Sequence, residues 1–201
     1  FYLMLAAAVC DFFDGFAARL LKAYSPMGKE LDSLADMVSF GLLPSLMLHR
    51  RLIEGGMTGF WSYLPLIICI FSALRLAKFN IDTRQSENFI GLATPSCAII
   101  CGSLIYAAET YPQLAAFLTA YAYIVPMVAL VMCYLLVCEI PMFSFKFKSL
   151  KWNDNKARFS FLAIALAIAA ATLAAGLNWS VCVLGIFCTY VIINILGNLK
   201  R

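Results

Sequence analysis

The chain has 201 residues, of which 63% are hydrophobic and 13% charged, against about 45–50% and 25% in an average soluble domain. Its mean hydropathy is +0.87, which excludes a disordered chain, a collagen and a free-standing soluble domain. The net charge of +4 points to membrane topology and anionic headgroups rather than to nucleic acid.

Apolar runs near the length that crosses about 30 Å of hydrocarbon recur along the chain. They predict seven helices, over 1–22, 31–48, 60–79, 94–109, 115–138, 159–176 and 179–198. The intervening segments are 23–30, 49–59, 80–93, 110–114, 139–158 and 177–178. The expected fold is all-α, a polytopic transmembrane bundle forming one domain over 1–201, with 159–198 as additional C-terminal helices. The alternation of short strands that a barrel needs is missing, as is any internal repeat. Ala163–Ala175 is an Ala-rich helix suited to close packing. Pro65, Pro95, Pro112, Pro126 and Pro141 mark helix ends or mild kinks. The chain opens at Phe1 inside an apolar run, with neither Met nor a basic stretch, so one further helix is expected before it. The eight cysteines lie in apolar stretches without zinc-type spacing and are read as small buried hydrophobes.

Basic residues fix the expected orientation. Arg19, Lys22, Lys29, Arg75, Lys78, Arg84, Lys146, Lys148, Lys151, Lys156, Arg158, Lys200 and Arg201 belong to one side, and Arg50 and Arg51 to the other. The richer side is predicted to be cytosolic, with Arg50 and Arg51 as interfacial anchors and His49 a bystander at the far end.

Asp11, Asp14, Asp32 and Asp36 lie in or beside the first two apolar segments. A carboxylate inside a bilayer costs several kcal/mol unless it faces a partner or a cavity. Asp11 and Asp14 are spaced i, i+3, and Gly28, Asp32 and Asp36 are spaced i, i+4, i+8, so each set shares a helix face. The short connection 23–30 makes the two helices antiparallel neighbours. Asp11 then lies about 16 Å and Asp36 about 9 Å from the cytosolic helix ends, at 1.5 Å per residue. Four acids in one pocket need a cation. With no histidine or thiolate among them, a hard divalent ion (Mg²⁺, Mn²⁺ or Ca²⁺) is expected, and two ions would suit phosphoryl transfer. Gly15 and Ala18 leave room for a flat ligand on the same face, and Arg19 follows where it could neutralise a phosphate. Arg75, Lys78 and Arg84 form a second basic group, read either as topology or as an anion site, and Glu30, Ser33 and Ser39 are candidates to meet a cationic group.

Written out, the motif is Asp11-x2-Asp14-Gly15-x2-Ala18-Arg19-x8-Gly28-x3-Asp32-x3-Asp36, eight positions over residues 11–36. It resembles the signature of the CDP-alcohol phosphotransferase family, and a chance match is roughly 10⁻¹⁰ per starting position at ordinary residue usage. The run Ser25–Gly41, Arg75-Leu76-Ala77-Lys78-Phe79-Asn80, Phe89–Pro95 and Pro141-Met142-Phe143-Ser144 are most similar to the membrane-bound bacterial phosphatidylserine synthases. Ala93 departs from the proline expected there, which touches local loop geometry only. The resemblance implies transfer of a phosphatidyl group from CDP-diacylglycerol to L-serine, with release of CMP. It implies that Asp11, Asp14, Asp32 and Asp36 hold divalent metal and that Asp36 also serves as general base. Gly15, Ala18 and Gly28 would lie against the nucleotide with Asp14, and Arg19 near its phosphates. It further implies a homodimer in a bacterial inner membrane with the site facing the cytosol. Two rivals are a relative with another acceptor, making phosphatidylglycerophosphate or phosphatidylinositol phosphate, and an ion transporter with intramembrane aspartates. The single lysine of 23–30 favours a zwitterionic acceptor over a phosphorylated one. The one-sided cluster and the missing repeat argue against a transporter.

Overall fold

The computed structural model describes residues 1–23, 25–82, 84, 89–144 and 155–199. Lys146, Lys148, Lys151, Lys200 and Arg201, counted above as cytosolic, lie outside the described residues.

Helix α1 spans Tyr2–Leu20. Its end is a Schellman turn: Lys22 takes a left-handed φ of 52° and the Ala23 N–H reaches back to the Ala18 carbonyl at 3.0 Å. The next helix, α2, spans Pro26–Asp36 and starts five residues earlier than apolarity alone predicts. Its start is set by capping: Ser25 Oγ accepts from the Gly28 N–H at 2.9 Å, and Pro26 occupies the first helical position. The polar run Gly28–Glu30 masks this in a hydropathy reading. Asp36 therefore lies about 15 Å into its helix rather than about 9 Å, level with Asp11 at about 14 Å from the end of α1.

After Asp36 the backbone widens into a π-helical segment, Met37–Leu42, before α3, Leu43–Glu54. π-segments of this kind concentrate at functional sites. Here the widened turn packs Gly41 against Ser72, so closely that a Cβ on Gly41 would meet Ser72 Cβ at 2.9 Å. The short helix α4, Phe60–Tyr63, leads through a 3₁₀ turn into α5, Ile67–Ile81. Helix α6 is Thr94–Thr110. The helix expected over 115–138 is two, α7, Pro112–Ala120, and α8, Ile124–Val137, bent by 88°. Pro126 lacks the N–H that would continue the ladder across residues 121–123, and proline is tolerated only in the first turn of a new helix. Arg51 braces the bend by donating to the Ala115 carbonyl at 2.6 Å and to Thr119 Oγ1 at 3.1 Å. Helices α9, Lys156–Ala174, and α10, Trp179–Leu199, complete the described chain.

Among the described residues four continuous helical stretches are long and apolar enough to cross a bilayer, Pro26–Glu54, Phe60–Ile81, Lys156–Ala174 and Trp179–Asn198, and the bent α7–α8 pair makes a fifth if it is one span. The other two expected spans fall short for physical reasons. Helix α1 carries Asp11, Asp14 and Arg19 within its length, and α6 has 17 residues.

The core gathers Leu48, Ile68, Leu92, Ile100, Val125, Leu136 and Met142. Cys97, Cys101, Cys133 and Cys138 pack there as free thiols, as the sequence predicts, whereas Cys10 is exposed on α1. Two short strands, β1 (Phe89–Ile90) and β2 (Pro141–Met142), pair antiparallel. Together with the Lys78–Glu139 contact at 3.4 Å, this brings the segments after α5 and α8 to one end of the bundle. Phe1, Tyr2, Tyr106 and Trp179 cluster at the start of α1, with Phe1 stacked on Trp179 at 5.3 Å, an aromatic group suited to a membrane interface. His49 also has a structural role: Nδ1 meets the Ser62 carbonyl at 2.6 Å.

The strand pair depends on Gly91. Its φ is +75°, and a Cβ there would meet three carbonyl oxygens of the α8 end, Leu136, Cys138 and Leu135, at 2.8, 2.9 and 3.1 Å. Gly91→Ala combines a left-handed cost of roughly 1–2 kcal/mol with that overlap. The expected result is a fall of several degrees in thermal midpoint in detergent; an unchanged midpoint would show that the turn relaxes freely.

Candidate active site

The first two helices bring carboxylates together at one place. Oxygens of Asp11, Asp14 and Asp32 all lie within 4.8 Å of one another, with Asp11 half-buried and the other two exposed to the cleft. The expected convergence thus holds for three aspartates. The fourth, Asp36, stands one turn beyond Asp32, outside that trio, yet within electrostatic reach of all three and of Arg75. An all-carboxylate donor set fits a hard divalent cation, which takes oxygen ligands, and not zinc, which favours nitrogen and sulfur.

Beside the trio, α1 and α2 enclose a cleft of about 880 Å³ lined by Asp14, Gly15, Ala18, Gly28, Lys29 and Asp32 among others. Every small residue of the sequence motif is therefore on the cleft wall. Arg19 folds back along α1, its Nε donating to the Gly15 carbonyl at 2.9 Å, and its side chain stays exposed beside the opening. The opposite wall is fastened to α5. Lys29 Nζ donates to the Asn80 carbonyl at 3.1 Å, Asn80 Nδ2 donates to Ser33 Oγ at 3.0 Å, and Ser33 Oγ donates to the Lys29 carbonyl at 3.2 Å. Asn80, part of the motif Arg75–Asn80, thus braces the cleft wall, a role that the motif alone does not assign. Its signal was available: an amide at the polar end of an apolar helix, two residues after Lys78.

The second basic group divides. Arg75 is 5% exposed. Its Nε donates to the Leu92 carbonyl at 3.2 Å, and its guanidinium lies 4.9 Å from the Phe79 ring and 6.0 Å from that of Phe89. Among the described residues no carboxylate forms an ion pair with it. Lys78 and Arg84, by contrast, both meet Glu139, at 3.4 and 3.6 Å, and Arg84 also pairs with Asp82 at 2.9 Å. Glu30 is exposed near the start of α2, and Ser39 is half-buried in the π-segment.

The sequence profile of the CDP-alcohol phosphatidyltransferase family matches residues 1–138. The chain belongs to that family. With its apolar helices this makes it an integral membrane protein. The matched stretch ends with α8, so the CDP-alcohol phosphatidyltransferase core comprises the carboxylate trio, the cleft and Arg75, and α9 and α10 lie beyond it. The chain is 46% identical over 86 residues to a CDP-diacylglycerol–serine O-phosphatidyltransferase of Bacillus subtilis, covering 42% of this chain and 48% of the relative. Enzymes of the same name from Helicobacter pylori strain J99 and Methanocaldococcus jannaschii are 39% identical over 102 residues and 38% over 104. Those alignments cover 49% and 50% of this chain and 42% and 47% of the relatives. The chain thus spans about half the length of the curated relatives it matches.

Proposed function

We propose that this protein transfers a phosphatidyl group from CDP-diacylglycerol to the hydroxyl of L-serine, giving phosphatidylserine and CMP. The observation that carries the reading is the meeting of Asp11, Asp14 and Asp32 at the edge of a cleft walled by Gly15, Ala18 and Gly28, in a chain of this family. Relatives named as serine transferases support the choice of acceptor.

Asp11, Asp14 and Asp32 would hold Mg²⁺ or Mn²⁺, with Ca²⁺ acceptable to the same oxygens; Asp36, a turn deeper, is chiefly the base and only secondarily a ligand to a second ion. A bound divalent ion supplies charge neutralisation to a pyrophosphate and its leaving group. Gly15, Ala18 and Gly28 admit the flat cytidine, and Arg19 swings over its phosphates from the cleft mouth. Asp36 accepts the proton of the serine hydroxyl as its oxygen bonds to the lipid-side phosphorus. The bond from that phosphorus to the bridging oxygen breaks, and CMP leaves. Positioned base catalysis of this kind contributes about 10²–10⁴, and alignment of the two substrates supplies much of the rest.

Arg75 is the best-placed cation for an anionic oxygen group, either the lipid phosphate or the serine carboxylate. It is buried, neighbours Asp36 and has no ion-pair partner among the described residues. Lys78 and Arg84 serve the surrounding loops through Glu139. The serine ammonium is offered Glu30, Ser33 and Ser39. The domain reading is a single transmembrane unit over 1–201, with the signature at 11–36 and further helices at 159–198. The charge asymmetry supports a site on the cytosolic face of the membrane, and the family resemblance supports a bacterial inner membrane and a homodimer.

Purified protein incubated with CDP-diacylglycerol, Mg²⁺ or Mn²⁺ and labelled alcohols should release CMP with L-serine. Release with glycerol-3-phosphate but not serine would select the rival acceptor. No release with any alcohol would overturn the enzyme reading.

A further inference from the structure

We infer that a polar ladder on α10, formed by Tyr190, Asn194 and Asn198, is a positioning device that holds Arg75 in place for an anionic oxygen group of a substrate. The inference rests on the reading of Arg75 given above and extends it to a helix that lies beyond the family-matched stretch.

The three residues recur at i, i+4 and i+8 on an otherwise apolar helix, and so share one face. All three direct their polar atoms to one short segment. Tyr190 Oη donates to the Phe143 carbonyl at 2.9 Å. Asn194 Oδ1 accepts from the Phe143 N–H at 2.9 Å, and its Nδ2 donates to the Tyr190 carbonyl at 2.8 Å. Asn198 Nδ2 donates to the Pro141 carbonyl at 3.0 Å. Asn194 is 5% exposed, and a buried amide in a membrane helix is expensive unless both its ends are satisfied.

That segment leads to Arg75. Strand β2 pairs with β1, placing Phe89 opposite Met142. Phe89 forms one aromatic wall of the guanidinium at 6.0 Å. Two residues beyond β1, the Leu92 carbonyl takes the Arg75 Nε, while the Leu92 N–H is itself fixed to the Leu135 carbonyl at 2.7 Å and the Gly91 N–H to the Ile140 carbonyl at 2.9 Å. A free arginine side chain samples many rotamers. A fixed acceptor and a fixed ring keep its outer nitrogens aimed one way; the ladder holds residues 141–143, and so steadies the ring through the β1–β2 pair and the acceptor through the adjoining Gly91–Ile140 bond. Simple helix-to-helix adhesion would explain polar contacts between helices; it does not explain three polar residues one turn apart all bonding residues 141 and 143, in and just after the strand that leads to the buried cation.

The test uses the full chain in nanodiscs, with KM and kcat for L-serine and for CDP-diacylglycerol. Tyr190→Phe removes one hydroxyl and leaves the fold intact; Asn194→Leu removes the central rung. Each should raise the KM for one substrate about five-fold, as one lost hydrogen bond of about 1 kcal/mol implies, with kcat changing less. A rise for serine assigns Arg75 to the carboxylate; a rise for CDP-diacylglycerol assigns it to the lipid phosphate. In an Arg75→Lys background, where the Nε contact to Leu92 is already lost, the same substitutions should add little, because coupled residues are non-additive. Additive effects, or a fall in kcat alone, would reduce the ladder to bundle adhesion and overturn the proposal. Amide hydrogen exchange at Gly91 and Leu92 gives a readout independent of turnover. It should quicken in both variants, and unchanged exchange would sever the ladder from Arg75. A wild-type chain with quickened exchange in the variants but no serine-dependent CMP release would leave the ladder standing and remove the serine reading.

Discussion

Replacing Asp36 by asparagine is expected to lower turnover by at least about 10² while metal and CDP-diacylglycerol binding persist. The geometry separates Asp36 from its three neighbours. Asp11, Asp14 and Asp32 bring oxygens within 4.8 Å of one another, and Asp36 stands a turn deeper, at the entry to the π-segment Met37–Leu42. Asparagine keeps the size and one ligand oxygen but cannot take the proton of an attacking hydroxyl. The trio is untouched, so the affinity for Mg²⁺, read from its effect on thermal stability, should change little. A loss of metal-dependent stabilisation as large as that of a trio variant would place Asp36 among the ligands and require another proton acceptor.

The carboxylate motif was legible because helical spacing is rigid. Once Asp11 and Asp14 share a face and Asp32 and Asp36 share another, a tight turn between the helices leaves few ways for the acids not to meet. What hydropathy misplaced were the ends. It started the second helix at 31, since Gly28, Lys29 and Glu30 are polar, whereas the Ser25 cap and Pro26 start it five residues earlier. It read 115–138 as one helix because residues 121–123 are as apolar as their neighbours, and only the missing N–H of Pro126 marks the break. The π-segment has no hydropathy signature, although it sets the register of everything after Asp36. Longer-range contacts were out of reach for another reason. That Asn80 would fasten Ser33, or that Lys78 and Arg84 would share Glu139, depends on how α2, α5 and the α8 end approach one another, which no local pattern specifies. The stripe Tyr190, Asn194, Asn198 recurs every four residues in an apolar helix, but no local pattern names residues 141–143 as its partner.

Asp14→Asn tests the other half of the division of labour. Asp14 belongs to the trio, lines the cleft and is exposed to it, so its charge acts on whatever cation binds and, through that cation, on the nucleotide phosphates. Removing the charge should weaken divalent-ion affinity by at least about 10², since even outer-shell changes at metal sites cost 10–100-fold. Without metal the variant should be no less stable than the parent, because one of several mutually repelling carboxylates has gone. With metal the order reverses: the parent gains stability in proportion to the logarithm of ion concentration over Kd, and the variant needs far more ion for the same gain. Activity follows the same logic. Excess Mg²⁺ or Mn²⁺ should restore part of the turnover of Asp14→Asn, whose defect is occupancy, and little of that of Asp36→Asn, whose defect is the proton acceptor. Equal rescue of both variants would make all four aspartates one cage; rescue of neither, with the metal-induced stabilisation intact, would remove Asp14 from the ligand set.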